Sequence, residues 1–423
     1  MKQKTRRKLK SSSLLPLFRG PSFPVTATDV GCFLAYICST TVLNLPVVLI
    51  PVAAAESTNE VASFVASIAS VAVFGSALGK LLNGFVCEAF GNQRSSFWYL
   101  IGLSLCTKWF ASGQLTYAYA GMEFFGSIQW TALSVLMMKR YANDPAGYTK
   151  GMAAMSLAST GGNFMTKTVA IVLLQYFHWR TIANMASYLA LIGALIVLFM
   201  LPEIPPSLKD FRLKKMIGDT SEIMSNRLFW VVGVAHSASM LGRGSDRIMG
   251  AFFHAATHFS PRLSGGLTIS STFGLFHSLR SGRSFCQMDG KEKLLFMKRR
   301  YIGATVSALS LAVCAYFSSS IPPNVTATWI AISAFGLTSC TGFLFFTIPN
   351  TVANTFASPA VCLSTIDAVG FGVAATMWKA FGVLASNYNF TTSWMLVASI
   401  FVAGGAVMIP SMQPLLQREQ RQQ

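Results

Sequence analysis

Charge is scarce in this chain. Lys, Arg, Asp and Glu make up 11% of its 423 residues, and only 15 are acidic against 33 basic. A soluble domain carries roughly a quarter of its residues charged, so water does not cover most of this one. Cysteine is present without pattern. The eight (Cys32, Cys38, Cys87, Cys106, Cys286, Cys314, Cys340, Cys362) show no C-x-x-C or metal-type spacing, so neither a disulfide framework nor a zinc site is expected. His254 and His258 are spaced i, i+4 but lack a third ligand, so no metal is expected there either. The loops hold no paired His/Asp cluster and no nucleophile motif, so the chain reads as no enzyme and needs no cofactor. A secretory core is missing as well, because Leu14-Leu15-Pro16-Leu17-Phe18 is short and broken by proline. The segment before Asp29 has no acid and is rich in Lys, Arg and Ser. That composition suits a cytoplasmic tail, with an organellar transit peptide as the alternative.

What fills the chain instead is apolar sequence, 52% of all residues. A helical span needs about 20 mostly apolar residues. Counting this way predicts twelve spans, near 30–54, 61–84, 96–113, 116–138, 149–174 and 181–202, then 228–256, 264–280, 300–318, 325–348, 359–384 and 390–411. The basic residues fall in alternate gaps: Lys2 to Arg19, Arg94, Lys139 to Lys150, Lys209 to Arg227, Arg280 to Arg300, and Arg418 with Arg421. The intervening gaps offer little beyond Arg180 and Arg262. By the positive-inside rule both termini are cytoplasmic. The net charge of +18 is then explained by orientation and anionic lipid headgroups, with no nucleic-acid partner. A plasma membrane or endomembrane is the first expectation, an organelle envelope the second. Two sequons, at Asn324 and Asn389, fall in short loops on the opposite side.

The expected fold is therefore an all-α polytopic membrane protein of two six-helix bundles. A basic tail (1–28) precedes the first bundle (29–202). A cytoplasmic loop (203–226) leads to the second bundle (227–412) and a short tail (413–423). Duplicated halves of this kind are a common transporter plan, with the ligand site between them near the midplane.

Gly84-Phe85-Val86-Cys87-Glu88-Ala89-Phe90-Gly91-Asn92-Gln93-Arg94 resembles the loop 2–3 signature of the major facilitator superfamily. Gly84, Glu88, Gly91 and Arg94 take the motif positions, and Ala89 stands where that family usually has arginine. His178-Trp179-Arg180 resembles its recurring Trp-Arg pair. The resemblance implies a transporter working by alternating access, with the motif acting as a gate. Phe229-Trp230 followed by Arg243, together with Gly79-Lys80-Leu81-Leu82-Asn83-Gly84, is similar to the organophosphate:phosphate antiporter branch. In that branch an arginine at the place of Arg243 binds phosphate. The branch's arginine in span 1 has no counterpart, since Thr40 or Thr41 stands there.

Ionisable residues inside spans are functional candidates, because each costs about 2.5–3.5 kcal/mol at the bilayer centre. They are Lys80, Lys108, Glu123, Lys167, Arg243, Asp246, Arg247, Asp367 and Lys379. In span 7, His236, Ser239, Arg243, Asp246 and Arg247 share about a third of a continuous helix's circumference. Arg243 with Asp246 at i+3 reads as an ion pair, which leaves Arg247 with no neighbour in sequence. Arginine suits phosphate and carboxylate through its planar fork. The expected substrate site is Arg243, Arg247 and Lys167 for the anion, with Thr40, Asn44 and Gln129 on its polar body. Glu123, Asp246 and Asp367 serve coupling or charge pairing, with pairing to a cation such as Lys167 or Arg243 the preferred reading. The solute is expected to be a small organic anion. A neutral solute such as a sugar, or a non-transporting sensor on the same fold, is the rival.

Overall fold

The computed structural model describes residues 26–57, 61–141, 144–203, 213–286, 288–353 and 359–422. The expected basic tail (up to residue 25) and part of the central loop (204–212) lie outside them. The described residues form helices and no strands.

Seven helices precede the central linker: α1 (Ala27–Ser57), α2 (Val61–Phe90), α3 (Asn92–Ala111), α4 (Leu115–Gly126), α5 (Ile128–Arg140), α6 (Pro145–Leu173) and α7 (Trp179–Met200). A short helix, α8 (Leu213–Ser225), lies within the linker. Eight follow: α9 (Arg227–Arg243), α10 (Asp246–Thr257), α11 (Pro261–Leu267), α12 (Ile269–Cys286), α13 (Gly290–Phe317), α14 (Pro323–Ala353), α15 (Pro359–Asn387) and α16 (Phe390–Gln422). Three pairs are single spans with a bend. Ser127 joins α4 to α5 and Thr268 joins α11 to α12, each in right-handed helical geometry. Gly244 and Ser245 interrupt span 7 between α9 and α10. Counted so, twelve spans result among the described residues, as the apolar runs predict.

Local chemistry sets several helix starts. Asp144 accepts from the Gly147 N–H with Pro145 at the first helical position. Asp289 and Glu292 form a reciprocal capping box before α13. Gly91 starts α3 at φ 86°, in the left-handed region that favours glycine. Two boundaries differ from the sequence reading. Span 8 runs from Pro261 to Cys286, longer than the expected 264–280, because Ser260 caps a proline-led turn ahead of the apolar run. The last helix continues through Pro410 and Pro414 to Gln422, where a tail from 413 was expected.

Among the described residues, seven helices are long and apolar enough to cross a membrane on length and composition alone. The remaining spans are bent (4, 7 and 8) or carry polar residues (α3 and α6). Large side chains such as Phe199, Trp98 and Ile332 stand exposed on the outside of the bundle. Lipid is the solvent such a surface requires.

The same packing scheme appears twice. Span 1 lies on span 5 (α1 on α6), and span 7 on span 11 (α9 on α15). Span 3 lies on span 6 (α3 on α7), and span 9 on span 12 (α13 on α16). Span 2 lies on span 4 (α2 on α4), and span 8 on span 10 (α12 on α14). The two halves meet along α2 with α15 and along α6 with α12, again equivalent pairs. Close approach depends on small residues. Gly75 and Gly79 on α2 sit directly on the α4 backbone, and Gly274 on α12 sits on the α14 backbone. Gln93 ties α3 to the end of α7 by donating to the carbonyls of Val197, Leu198 and Leu201 at 3.3, 3.2 and 2.8 Å.

Candidate functional site

Among the described residues three ion pairs lie between the halves, and each takes one partner from either side. Lys167 of α6 meets Asp246 of α10 at 3.2 Å. Glu123 of α4 meets Arg247 of α10 at 2.6 Å. Lys80 of α2 meets Asp367 of α15 at 3.4 Å. At 1.5 Å per residue, Lys80 and Asp367 lie closer to the face where α1 begins, and the other two pairs closer to the opposite face.

The first pair is the most enclosed. Lys167 is fully buried. Its ammonium also donates to Thr272 Oγ1 at 3.0 Å and to the Thr268 carbonyl at 3.3 Å. Asn163, one turn earlier on α6, donates to Asp246 Oδ2 at 3.2 Å and to Asn44 Oδ1 at 2.7 Å. Its own carbonyl accepts from Thr272 at 2.5 Å. Asn44 donates in turn to the Thr40 carbonyl at 2.6 Å. One network thus joins spans 1, 5, 7 and 8.

In the second pair Arg247 also donates to the Tyr119 hydroxyl at 3.3 Å, and Ser76 donates to the free oxygen of Glu123 at 2.5 Å. In the third, Asp367 is shared. Lys80 faces Oδ2, while His236 Nε2 faces Oδ1 at 3.7 Å. Arg243, at mid-span, is electrostatically coupled to all three through Asp246, Arg247 and Asp367, and to Tyr36 of α1. Among the described residues, four cations (Lys80, Lys167, Arg243, Arg247) and three carboxylates (Glu123, Asp246, Asp367) therefore meet at this interface.

The expected site residues fare differently. Asp246 pairs with Lys167, where a pair with Arg243 was expected; the helix is interrupted at Gly244–Ser245 between the two residues, and the partner comes from α6. Arg247, expected to lack a neighbour, is held by Glu123 and Tyr119 from another helix. Glu123 neutralises Arg247, where Lys167 or Arg243 was expected. Gln129 is not brought to the cluster. It is fully buried against α3, accepting from Ser96 Oγ at 2.6 Å and donating to the Ser96 carbonyl at 3.1 Å. Thr40 spends its hydroxyl on the Tyr36 carbonyl at 2.8 Å, beside the Ala158 carbonyl of α6 at 3.3 Å. Lys379 and Lys108, also candidates as intramembrane charges, are exposed and not brought to the cluster; long side chains so placed can reach the headgroups.

In the loop motif, Gly84 approaches Ser364 of α15, Gly91 makes the left-handed turn, and Arg94 pairs with Glu203 beyond α7. The Glu88 side chain lies outside the described residues. Trp179 pins the start of α7 to the end of α1 through Glu56, its indole N–H donating at 3.0 Å.

Asn163, Thr272, Tyr119 and Ser76 were missed by sequence reasoning. Asn163 was accessible, since it lies four residues before Lys167 and so on the same helix face. The others become partners only through helix packing.

No curated protein matches the chain by sequence. Solved structures do match by shape. A nucleoside transporter superposes with TM-score 0.70 at 12% identity, covering 91% of this chain and 99% of its own. A D-xylose–proton symporter gives 0.66 at 13%, covering 90% and 95%. The human organic anion transporter TETRAN gives 0.63 at 13%, covering 92% and 100%. At such identity these likenesses show the fold. A family model described as Major Facilitator Superfamily matches residues 32–386. The chain, with its lipid-facing helices, is thus a multi-pass integral membrane protein and belongs to the major facilitator superfamily of solute transporters.

Proposed function

We propose that the protein is a secondary active transporter that moves a small organic anion, a phosphate ester or carboxylate, by alternating access. The two bundles (29–202 and 227–412) rock about the interface that carries the three ion pairs. The observation that supports this reading is that, among the described residues, four cations (Lys80, Lys167, Arg243, Arg247) stand against three carboxylates (Glu123, Asp246, Asp367) in the spans at that interface. An anion entering beside Arg243 balances the excess. A neutral solute leaves it unbalanced in a region of low dielectric, where charge is costly. Arg243 is the primary contact. Arg247 and Lys167 become available to the anion when movement of the halves lengthens their contacts to Glu123 and Asp246. Asn44 and Thr40 border the same space from span 1. The Gly84, Glu88, Gly91 and Arg94 motif serves as the gate at the opposite end of span 2.

A second reading has one observation in its favour. Each carboxylate already cancels one cation, and the Tyr36–Trp130 ring pair (centroids 5.8 Å apart) offers an aromatic wall of the kind neutral sugars and nucleosides use. The solved relatives include carriers named for a nucleoside and for xylose.

Uptake into proteoliposomes separates the two. Labelled glycerol phosphate and a labelled dicarboxylate are compared with labelled uridine and xylose, using wild type, Arg243→Ala and Arg243→Lys. The anion reading expects saturable uptake of an anionic probe, a KM raised at least tenfold in Arg243→Ala, and partial recovery in Arg243→Lys. Uptake confined to neutral probes and indifferent to Arg243→Ala would sink it.

A further inference from the structure

Arg280 stands exposed near the end of α12, and among the described residues it has no hydrogen-bond or ion-pair partner. Countercharge is scarce in the surrounding sequence. Between Arg247 and Asp367 the chain holds only two acids, Asp289 and Glu292, and each accepts from the other's backbone N–H in the cap of α13. Seven basic residues fall between positions 280 and 300.

A second cation is fixed beside it. Arg300 of α13 donates to Ser281 Oγ of α12 at 2.6 Å and to the Ser339 carbonyl of α14 at 3.3 Å. Its guanidinium lies over the Phe296 ring, 4.6 Å from the centroid. These contacts are to neutral groups, so they orient the charge without cancelling it. His277, three residues before Arg280, shares a hydrogen bond with Ser339 Oγ at 2.6 Å. Arg280 and Arg300 both act on it electrostatically. The three side chains thus gather where α12, α13 and α14 meet.

An apolar groove of about 370 Å³ leads away from this cluster between α12 and α14, walled by Phe273, Ala331, Ile332 and Phe335. Its two hydroxyls, on Ser270 and Thr328, are spent on carbonyls within a turn of their own positions, so an occupant meets apolar surface. Phe335 at the near end packs against the His277 ring, with centroids 5.8 Å apart. Groove and cluster are therefore continuous. Ser270, Phe273, His277 and Arg280 follow one face of α12 at helical spacing. The ten residues from Arg280 to Ser270 span about 15 Å of helix. That is the hydrocarbon depth of one leaflet, half of a core about 30 Å thick.

We propose that this face of the second half binds one anionic phospholipid from the leaflet on the side of the 8–9 loop, its phosphate held by Arg280 and Arg300 and one acyl chain laid in the groove between spans 8 and 10. The planar guanidinium fork matches a phosphate through parallel, charge-assisted hydrogen bonds. Basic pockets between spans at a membrane surface attract anionic headgroups for the same reason. A free phosphate meets the cations and leaves the groove empty. A zwitterionic lipid fills the groove and leaves the cations without a net countercharge. The site lies within the second half, apart from the three ion pairs between the halves, and is independent of the solute's charge.

The test reads groove and headgroup together. A bimane probe on Ile332→Cys, an exposed wall of the groove, is placed in a cysteine-free background in phosphatidylcholine vesicles. It is quenched by lipids brominated on their acyl chains. Brominated phosphatidylglycerol is expected to reach half-maximal quenching at a mole fraction about twentyfold below brominated phosphatidylcholine, each of the two cations contributing about fivefold. Arg280→Gln, shown to be folded by thermal unfolding, lowers that preference about fivefold. A probe on Leu195→Cys, exposed on α7 in the first half, shows the smaller preference of unselected boundary lipid. Sodium phosphate in place of sodium chloride at equal ionic strength leaves the preference at Ile332→Cys unchanged. Equal preferences at the two probes, or a preference that survives intact in Arg280→Gln, overturns the proposal. Loss of the preference to inorganic phosphate also overturns it, by assigning the cations to a free anion. Because the readout is lipid quenching, its failure is distinguishable from failure of the anion-transport reading, which is measured by uptake.

Discussion

Removing the Lys167 ammonium while leaving Asp246 in place tests whether the buried pair holds the halves together. At 3.2 Å and an effective dielectric near 20, the Coulomb attraction is about 5 kcal/mol. Desolvation of both ions offsets most of it. The net value of the pair is therefore small, but breaking it from one side is expensive. Lys167→Met leaves a carboxylate at a buried site with Asn163 as its remaining hydrogen-bond donor, and Asp246→Asn strands an ammonium that is fully buried. Each single change is expected to cost about 3–5 kcal/mol, or roughly 6–10 °C in Tm at about 2 °C per kcal/mol. The double variant Lys167→Met/Asp246→Asn strands neither charge, and should recover about 2–3 kcal/mol of the summed loss. A second readout reports on the halves themselves. Val48 of α1 is fully buried against Gly265 of α11, so alkylation of Val48→Cys in a cysteine-free background measures separation on that face. Both single variants should label faster than the parent. Strict additivity in the double variant would show that the pair is no energetic unit. Unchanged labelling would show that it does not fasten the halves.

Gln129→Leu tests the reassignment of that residue: it should lower stability by about 1–3 kcal/mol through loss of the α3–α5 hydrogen bonds, while KM for a transported solute stays within twofold of wild type. A KM shift without a stability change would return Gln129 to the site. At Gly91, where φ is 86° and ψ 153°, a combination essentially confined to glycine, Gly91→Ala and Gly91→Asn are each expected to cost about 1–3 kcal/mol, read from thermal unfolding. Unchanged stability in both would mean that strain at this turn does not set the preference.

The division between what the chain announces and what it conceals follows from how far each kind of signal reaches. Span number came from runs of apolar residues, because bilayer thickness imposes a length that composition alone can meet. Gly84, Gly91 and Trp179 were legible for a similar reason, since a turn or a helix start is decided within a few residues. The intramembrane charges could be found too, each being conspicuous in an apolar helix. Their partners could not. Lys167 and Asp246 are 79 residues apart in sequence, and Glu123 and Arg247 are 124 apart. A pairing read along one helix, Arg243 with Asp246, gave way to one between helices. The interruption at Gly244–Ser245 breaks the continuous 100° periodicity on which the local reading relied.

By itself, then, the sequence determined that this is a helical membrane protein in two halves, since hydrophobic length and duplication are properties of the chain read in order. Which cation answers which carboxylate was decided only by tertiary structure. Those contacts form between helices brought together by glycine-mediated packing, and no periodicity within one helix encodes the neighbour it will meet.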